Sequence, residues 1–321
     1  MFRIGGVSFL NSRPLTLPLK EFFEAHSTEQ TITATVSNRL GIRTTIHYCE
    51  AVPSQLAQML SDGQLDCTLL SSVEALRLPG AKILSDACIA SESRVRSVRL
   101  FGRVPFDEVR RVALDACSRT SVVLTQILLK RLLRHPVEYT DFPIGADPRS
   151  LDADACLSIG DRGMHPLGFP WNVWCLDLAE AWKQLTDLPF VFALWIAHPR
   201  IVQPTPILPQ PDSSILPKTP ILSQPRILPP LNSETTFEMV DLSQLAQCLS
   251  AARDDGTSRL ATIAASEGPR VGVTAEDALD YFQRSLQFRL GVREIAGLTE
   301  FAQLLEEDRL VEKCNPPTFI F

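Results

Sequence analysis

The sequence predicts an α/β fold of two α/β lobes with a central cleft and a helical C-terminal segment. Three observations carry that prediction. Strand-like and helix-like segments alternate through the first two-thirds of the chain, which implies layered helices and parallel sheets. Two extended runs, near residues 95–101 and 189–197, look like a pair of crossings between lobes, with the second lobe inserted in the first. From residue 241 onward only helical periodicity remains. A chain of 321 residues is long for one domain and comfortable for two. The expected division is 1–96 plus 190–321 for lobe 1 and 97–189 for lobe 2.

The elements follow in order. Residues 3–9 read as a buried first strand, with Gly5 and Gly6 inside it. Asn11, Ser12, Arg13 and Pro14 then form a stiff loop, and a short helix is expected over 18–26, with Leu19, Phe22 and Phe23 on one face. Residues 44–49 are rich in β-branched side chains, a strand signal. "VPSQLAQMLSDG" is a helix opened by Pro53 and stopped by Gly63. "LDCTLLSS" has no clean alternation, as in a parallel strand buried on both faces, and precedes a short helix at "VEAL". "RVALDACSRTSVVLTQILLKRLL" is the clearest unit: a strand at 112–115, a polar turn at 117–121 and an amphipathic helix over 122–133. Further strands are expected at 137–140 and 155–159, the latter ending in Gly160-Asp161. "DLAEAWKQLTD" is a helix with Asp177 as N-cap, and 188–197 is a buried strand.

Residues 199–230 break the pattern with ten of the 24 prolines and an imperfect repeat, "TPILPQP" and "TPILSQP". So much proline excludes a helix or central strand. The segment reads as an inserted polyproline-like excursion without a catalytic part. Beyond it, Thr274 is expected to cap a helix, with Asp277 completing a variant capping box.

Composition narrows the function. The net charge of −6 argues against a nucleic-acid binder, and an anionic substrate would need a local pocket. No secretory signal and no window of about 18 apolar residues is seen, so a cytoplasmic location without membrane contact is expected. The eight cysteines are scattered without a CxxC pair and read as reduced, buried thiols. The five histidines cluster neither with each other nor with cysteine, so no metal site is expected.

Four loops follow expected strands and would line the cleft, the usual ligand position in open α/β sheets. They carry Asn11-Ser12, Ser71-Ser72, Ser118-Arg119-Thr120-Ser121 and Gly160-Asp161. A helix N-terminus has unpaired N–H groups and a partial positive charge, so hydroxyls at "SRTS" either cap the helix or bind a carboxylate or phosphate. Arg119 adds a guanidinium for the second role. Ser71-Ser72 presents the same choice. Asn11 alone suits a turn, and Asp161 alone suits a loop carboxylate. The sequence lacks GxSxG, P-loop, GxGxxG and HExxH motifs. None of these loops, as read, carries a histidine, and Cys117 beside "SRTS" is a weak nucleophile candidate.

These residues resemble one known family. "RIGGVSFLNSRPL" is similar to the opening of the chorismate dehydratases of the futalosine route to menaquinone, roughly RIG-x-V-S-Y-L-N-x-x-P-L. "GQLDCTLLSSVE", "VRSVRLFGRVP", "VALDACSRTSVVL", "ADACLSIGD", "DLAEAWKQLTDLPFVFALW" and "GLTEFAQLLEE" follow in the family's order. The resemblance covers about residues 3–198 and, more loosely, 241–310. Phe9 departs from the Tyr common at that place, and the proline-rich insert is not typical. A sister family, the dihydroxynaphthoate synthases, shares the fold but is known for an active-site histidine.

The resemblance implies a bilobed, type II periplasmic-binding-protein-like fold and a cofactor-free lyase, monomeric or homodimeric. Chorismate, a dicarboxylate, would lose its ring hydroxyl as water together with a ring proton, giving 3-[(1-carboxyvinyl)oxy]benzoate. The substrate's enolpyruvyl carboxylate would take the proton. Asn11 is then expected at the reacting centre, Ser71 and Ser72 on one carboxylate, and Ser118, Thr120 and Ser121 on the other. Arg119 and Asp161 complete the expected substrate-binding set. A cytosolic small-anion sensor of the same fold is the non-catalytic alternative.

Overall fold

The computed structural model describes residues 2–25, 33–37, 43–165, 173–201 and 242–321. Nearly all of the proline-rich insert lies outside them. Two sheets organise the chain. The larger runs in the order β12-β5-β11-β4-β1-β3-β2, with β13 beside β5, and the smaller in the order β10-β6-β9-β7-β8.

The large sheet is built by β1 (Phe2–Val7), β2 (Thr33–Ser37), β3 (Arg43–Ala51), β4 (Cys67–Ser71) and β5 (Lys82–Ser91). β11 (Phe190–Ala197), β12 (Gln287–Arg289) and β13 (Thr318–Ile320) complete it. The small sheet holds β6 (Val98–Gly102), β7 (Arg111–Asp115), β8 (Glu138–Phe142), β9 (Ala155–Ile159) and β10 (Trp174–Asp177). Its residues all fall between the two passages of the chain, at 92–97 and 178–189, that link the sheets.

Both sheets are mixed, not parallel. β1 pairs in parallel with β3 and β4, but β11 runs antiparallel to β4 and β5. β7 pairs in parallel with β8 and β9, while β6 runs antiparallel to β9 and β10. The two strands that arrive from the opposite sheet, β6 and β11, both run antiparallel to their neighbours, as do β2 with β3 and β12 with β5. Asp177 holds both the entry and the exit. Its carboxylate accepts the Val95 and Arg96 N–H groups at 3.0 and 2.7 Å and caps α6 (Leu178–Thr186) through the Ala179 and Glu180 amides.

Helix α1 (Arg13–Ala25) starts five residues before the expected point. Pro14 lies in its first turn, where the missing N–H costs no helical bond. Pro18 lies inside the helix and leaves the Pro14 carbonyl without its i+4 donor. That carbonyl packs against α7 (Leu242–Ser258): a Cβ built on Gly256 would lie 1.8 Å from the Pro14 oxygen, so only glycine fits there. α4 (Arg119–Leu132) likewise begins three residues earlier than expected, which makes Arg119, Thr120 and Ser121 its first turn.

The C-terminal part is not purely helical. α7, α8 (Leu260–Glu267), α9 (Ala275–Asp280) and α10 (Val292–Glu307) are interrupted by β12 and followed by β13, both paired with β5. Thr274 caps α9 by accepting the Asp277 N–H at 3.1 Å, but the Asp277 carboxylate accepts from the Thr274 hydroxyl instead of reaching its backbone. β5 itself escaped the sequence reading. Ser85 and Asp86 break its apolar run, and Ser85 has φ +68° in mid-strand. Trp182 on α6, Phe190 on β11 and Phe301 on α10 pack edge to face, with centroids 5.0 to 6.1 Å apart. This cluster ties the helix leaving the small sheet to the large-sheet core.

Candidate functional site at the meeting of four strand-end loops

Two loops of the large sheet meet two loops of the small sheet. The first pair joins the end of β1 to the end of β9. After β1 the chain makes a 3-10 turn (Leu10–Ser12) that runs directly into α1. The Leu10 N–H donates to Asp161 Oδ1 at 2.8 Å across the lobes. Asp161 lies in α5 (Gly160–Gly163), just past β9. Gly160 has φ +62°, and a Cβ built there would lie 3.0 Å from the Phe9 ring. A side chain would therefore be strained by backbone and blocked by the ring.

The second pair joins β4–α3 to β7–α4, where α3 is Ser72–Arg77. The Val73 N–H donates to Thr120 Oγ1 at 3.0 Å, and the Ser72 and Thr120 hydroxyls lie 3.5 Å apart. Arg119 spans the same seam to both Glu74 oxygens at 3.3 Å, from a partly exposed position.

The expected site residues divide by what their polar atoms already do. Ser72 Oγ donates to the Val191 carbonyl at 2.7 Å. Ser118 Oγ donates to Ser121 Oγ at 3.0 Å and accepts the Ser121 N–H at 3.2 Å, so it is the N-cap of α4. Thr120 holds Val73, and Arg119 faces Glu74. Asn11 and Ser71 differ. Asn11 Oδ1 is buried without a hydrogen-bond partner. Ser71 is buried at the N-cap of α3 and makes no capping bond. A buried acceptor left unpaired costs about 1–3 kcal/mol, so Asn11 is held in a position that stability alone does not favour.

Four residues that help build this site were not assigned to it from the sequence. Asp115, fully buried at the end of β7, accepts the Cys117 N–H at 3.0 Å, the Ile159 N–H at 3.2 Å and the Arg162 guanidinium at 2.5 Å. It thereby ties the "SRTS" turn to the Gly160-Asp161 turn. Arg162 lies over the Phe142 ring, 4.1 Å from its centroid. Arg13 pairs with Glu50 at 2.9 Å and Glu267 at 3.1 Å and donates to the Ser8 carbonyl at 2.9 Å. It anchors the base of the Asn11 turn. His165, four residues past Asp161, is close enough for its charge to act on the Asp161 carboxyl, and its Nε2 lies 2.9 Å from the Val271 carbonyl oxygen. The β9 loop therefore does carry a histidine beside it.

Burial raises the Asp161 carboxyl above the usual range, against the lowering pull of the Leu10 N–H, Arg13 and His165. Burial, with Asp115 beside it, pushes the Cys117 thiol up to about 12, which removes it as a nucleophile. The expectation of buried cysteines fails at three places, since Cys175 and Cys248 are exposed and Cys49 is half-buried; all eight are free thiols. Among the described residues no three His, Cys, Asp or Glu side chains are grouped to hold a metal ion, and no helix is long and apolar enough to cross a membrane.

Comparison with known proteins identifies the family and the fold. Residues 2–210 match the family described as menaquinone biosynthesis. The chorismate dehydratase of Thermus thermophilus is 30% identical over 271 residues, 79% of this chain and 85% of that one. The periplasmic aliphatic sulphonate binding protein SsuA of Escherichia coli superimposes with a TM-score of 0.55 at 12% identity, covering 97% of this chain and 94% of its own. A protein of Archaeoglobus fulgidus does so with a TM-score of 0.54 at 12% identity, covering 96% and 98%. At that identity the structural likeness shows the fold alone, a bilobed periplasmic-binding-protein-like one. By its sequence match over most of its length, the chain belongs to the menaquinone biosynthesis family.

Proposed function

We propose that this protein dehydrates chorismate to 3-[(1-carboxyvinyl)oxy]benzoate, a carbon–oxygen lyase reaction at the head of the futalosine route to menaquinone. Family membership and the relationship to a chorismate dehydratase support the substrate. The observation that carries the site assignment is Asn11, whose buried amide oxygen lacks a partner at the closure of four loops.

The chemistry suits what these loops offer. Elimination of water makes the ring aromatic, so the reaction runs downhill and the protein has chiefly to orient its substrate. The enolpyruvyl carboxylate takes the ring proton as the ring hydroxyl departs. Holding that carboxylate over the C–H bond is a proximity effect worth several kcal/mol, on the order of 7 when well aligned. Asn11 fixes the reacting centre. The Ser71-Ser72 turn holds one carboxylate, through the free Ser71 hydroxyl. The "SRTS" turn holds the other at the first turn of α4, where the helix N-terminus favours an anion. There Ser118 and Ser121 act through the turn they shape, with Arg119 at the rim. Lobe closure excludes water.

The sheet membership of each segment supports lobe boundaries at 1–96 plus 190–321 and 97–189. The protein acts in the cytoplasm without a cofactor, as monomer or homodimer. Incubation of the purified protein with chorismate tests the reading. Loss of the diene absorbance with appearance of the benzoate is expected. Binding without loss would make it an anion sensor, and no effect on chorismate would point to the sister synthase.

A further inference from the structure

Asn11 belongs to a turn that has no cap of its own. The N-cap position is Phe9, whose side chain offers no acceptor. The other bonds of the turn come from its own lobe. Ser12 Oγ donates to the Val7 and Phe9 carbonyls at 2.6 and 2.7 Å, and the Ser12 N–H donates to the Phe9 carbonyl at 3.1 Å. The Leu10 N–H has no such partner nearby. It meets a carboxylate oxygen 151 residues further along the chain, Asp161 Oδ1, at 2.8 Å.

We propose that Asp161 is a lobe-crossing helix cap: a positioning residue that completes the Asn11 turn when the two lobes close. The inference rests on the reading of Asn11 as the residue nearest the reaction. It changes the part played by Asp161 from substrate contact to support of Asn11. A second, independent contact points the same way. The Phe9 ring packs on the bare backbone of Gly160, held at φ +62°, so two adjacent residues of one turn dock on two adjacent residues of the other. The Asp161 turn is itself fixed from its own lobe by the Asp115–Arg162 pair. The capping carboxylate is thus presented on a rigid support.

The consequence is a coupling. With the lobes apart, the Leu10 N–H faces water and the first turn is free to fray. Closure supplies the cap, and Asn11 is placed only then. An interaction made on closure acts on the chemical step more than on the first encounter with substrate.

Two variants and two readouts test this. Asp161→Ala removes the acceptor, whereas Asp161→Asn keeps a side-chain oxygen for the Leu10 N–H. In Asp161→Ala, kcat on chorismate should fall about tenfold, the scale of a lost N-cap, with KM changed by less than about threefold. Asp161→Asn should recover kcat to within about threefold of the parent. The lobes open and close without substrate and the cap protects Leu10 during the closed intervals, so amide exchange at Leu10 in the ligand-free proteins should quicken about tenfold in Asp161→Ala and not in Asp161→Asn. Equal impairment of both variants, or Leu10 exchange indifferent to Asp161→Ala, would overturn the cap. Exchange is read without substrate, so if chorismate is not turned over even by the parent protein, the substrate reading falls while the exchange result still decides the cap.

Discussion

The turn that carries Asn11 and the turn that carries "SRTS" occupy matching places, each at the end of a strand and the start of a long helix. They are built in opposite ways. In the second, the hydroxyls are used up: Ser118 caps α4, Ser121 bonds to Ser118, and Thr120 reaches across to Val73. In the first, the side chain at the centre is left without a partner, and the cap comes from the far lobe. A satisfied polar group stabilises the fold, whereas an unsatisfied buried one, as at Asn11 and also at Ser158, Trp195 and Gln287, does not, and only Asn11 among these lies in a strand-end loop of the site. Hydroxyl-rich composition alone does not separate the two.

Substitutions can break that contrast or sharpen it. The largest effect is expected from Asn11→Ala, with turnover falling at least about 10³-fold and the melting temperature equal to or above that of the parent, since the lost group makes no internal bond and its burial is unfavourable. Asp115→Ala comes next. It strands the Arg162 guanidinium and two amides, and should lower unfolding stability by about 3 kcal/mol in a denaturant titration. Ser71→Ala should reduce kcat/KM about tenfold at constant stability, read from initial rates and a thermal melt. Ser118→Ala inverts that pattern, costing about 1 kcal/mol of stability with a smaller loss of rate. Arg119→Ala is the mildest, below about 1 kcal/mol, because its pairing with Glu74 is partly exposed.

The sequence made the strand-end loops legible because each is local: an apolar run, then a hydroxyl or amide, then helical periodicity. β9 and the Asp177 cap were readable for that reason. The start of α1 was not, because two prolines look like a barrier to a helix when they stand four residues apart. The carbonyl that Pro18 sets free is instead accommodated by the closely packed Gly256 backbone of α7, far along the chain. β5 was hidden by Ser85 and Asp86, whose polar groups are met by Ser250 and Arg253 from α7. The parts of the site that no local pattern announces are those made by long-range contacts. Asp115 reads as the last residue of a strand, and Asp161 as a loop acid. Only the folded chain brings one to Arg162 and the other to Leu10.

The most direct measurement is chorismate turnover by Asn11→Ala and Ser118→Ala side by side, each with its melting curve. The account predicts that Asn11→Ala melts no lower than the parent and is inactive, while Ser118→Ala melts lower and keeps most of its activity. An active Asn11→Ala protein, or a Ser118→Ala protein that is stable yet inactive, would contradict it.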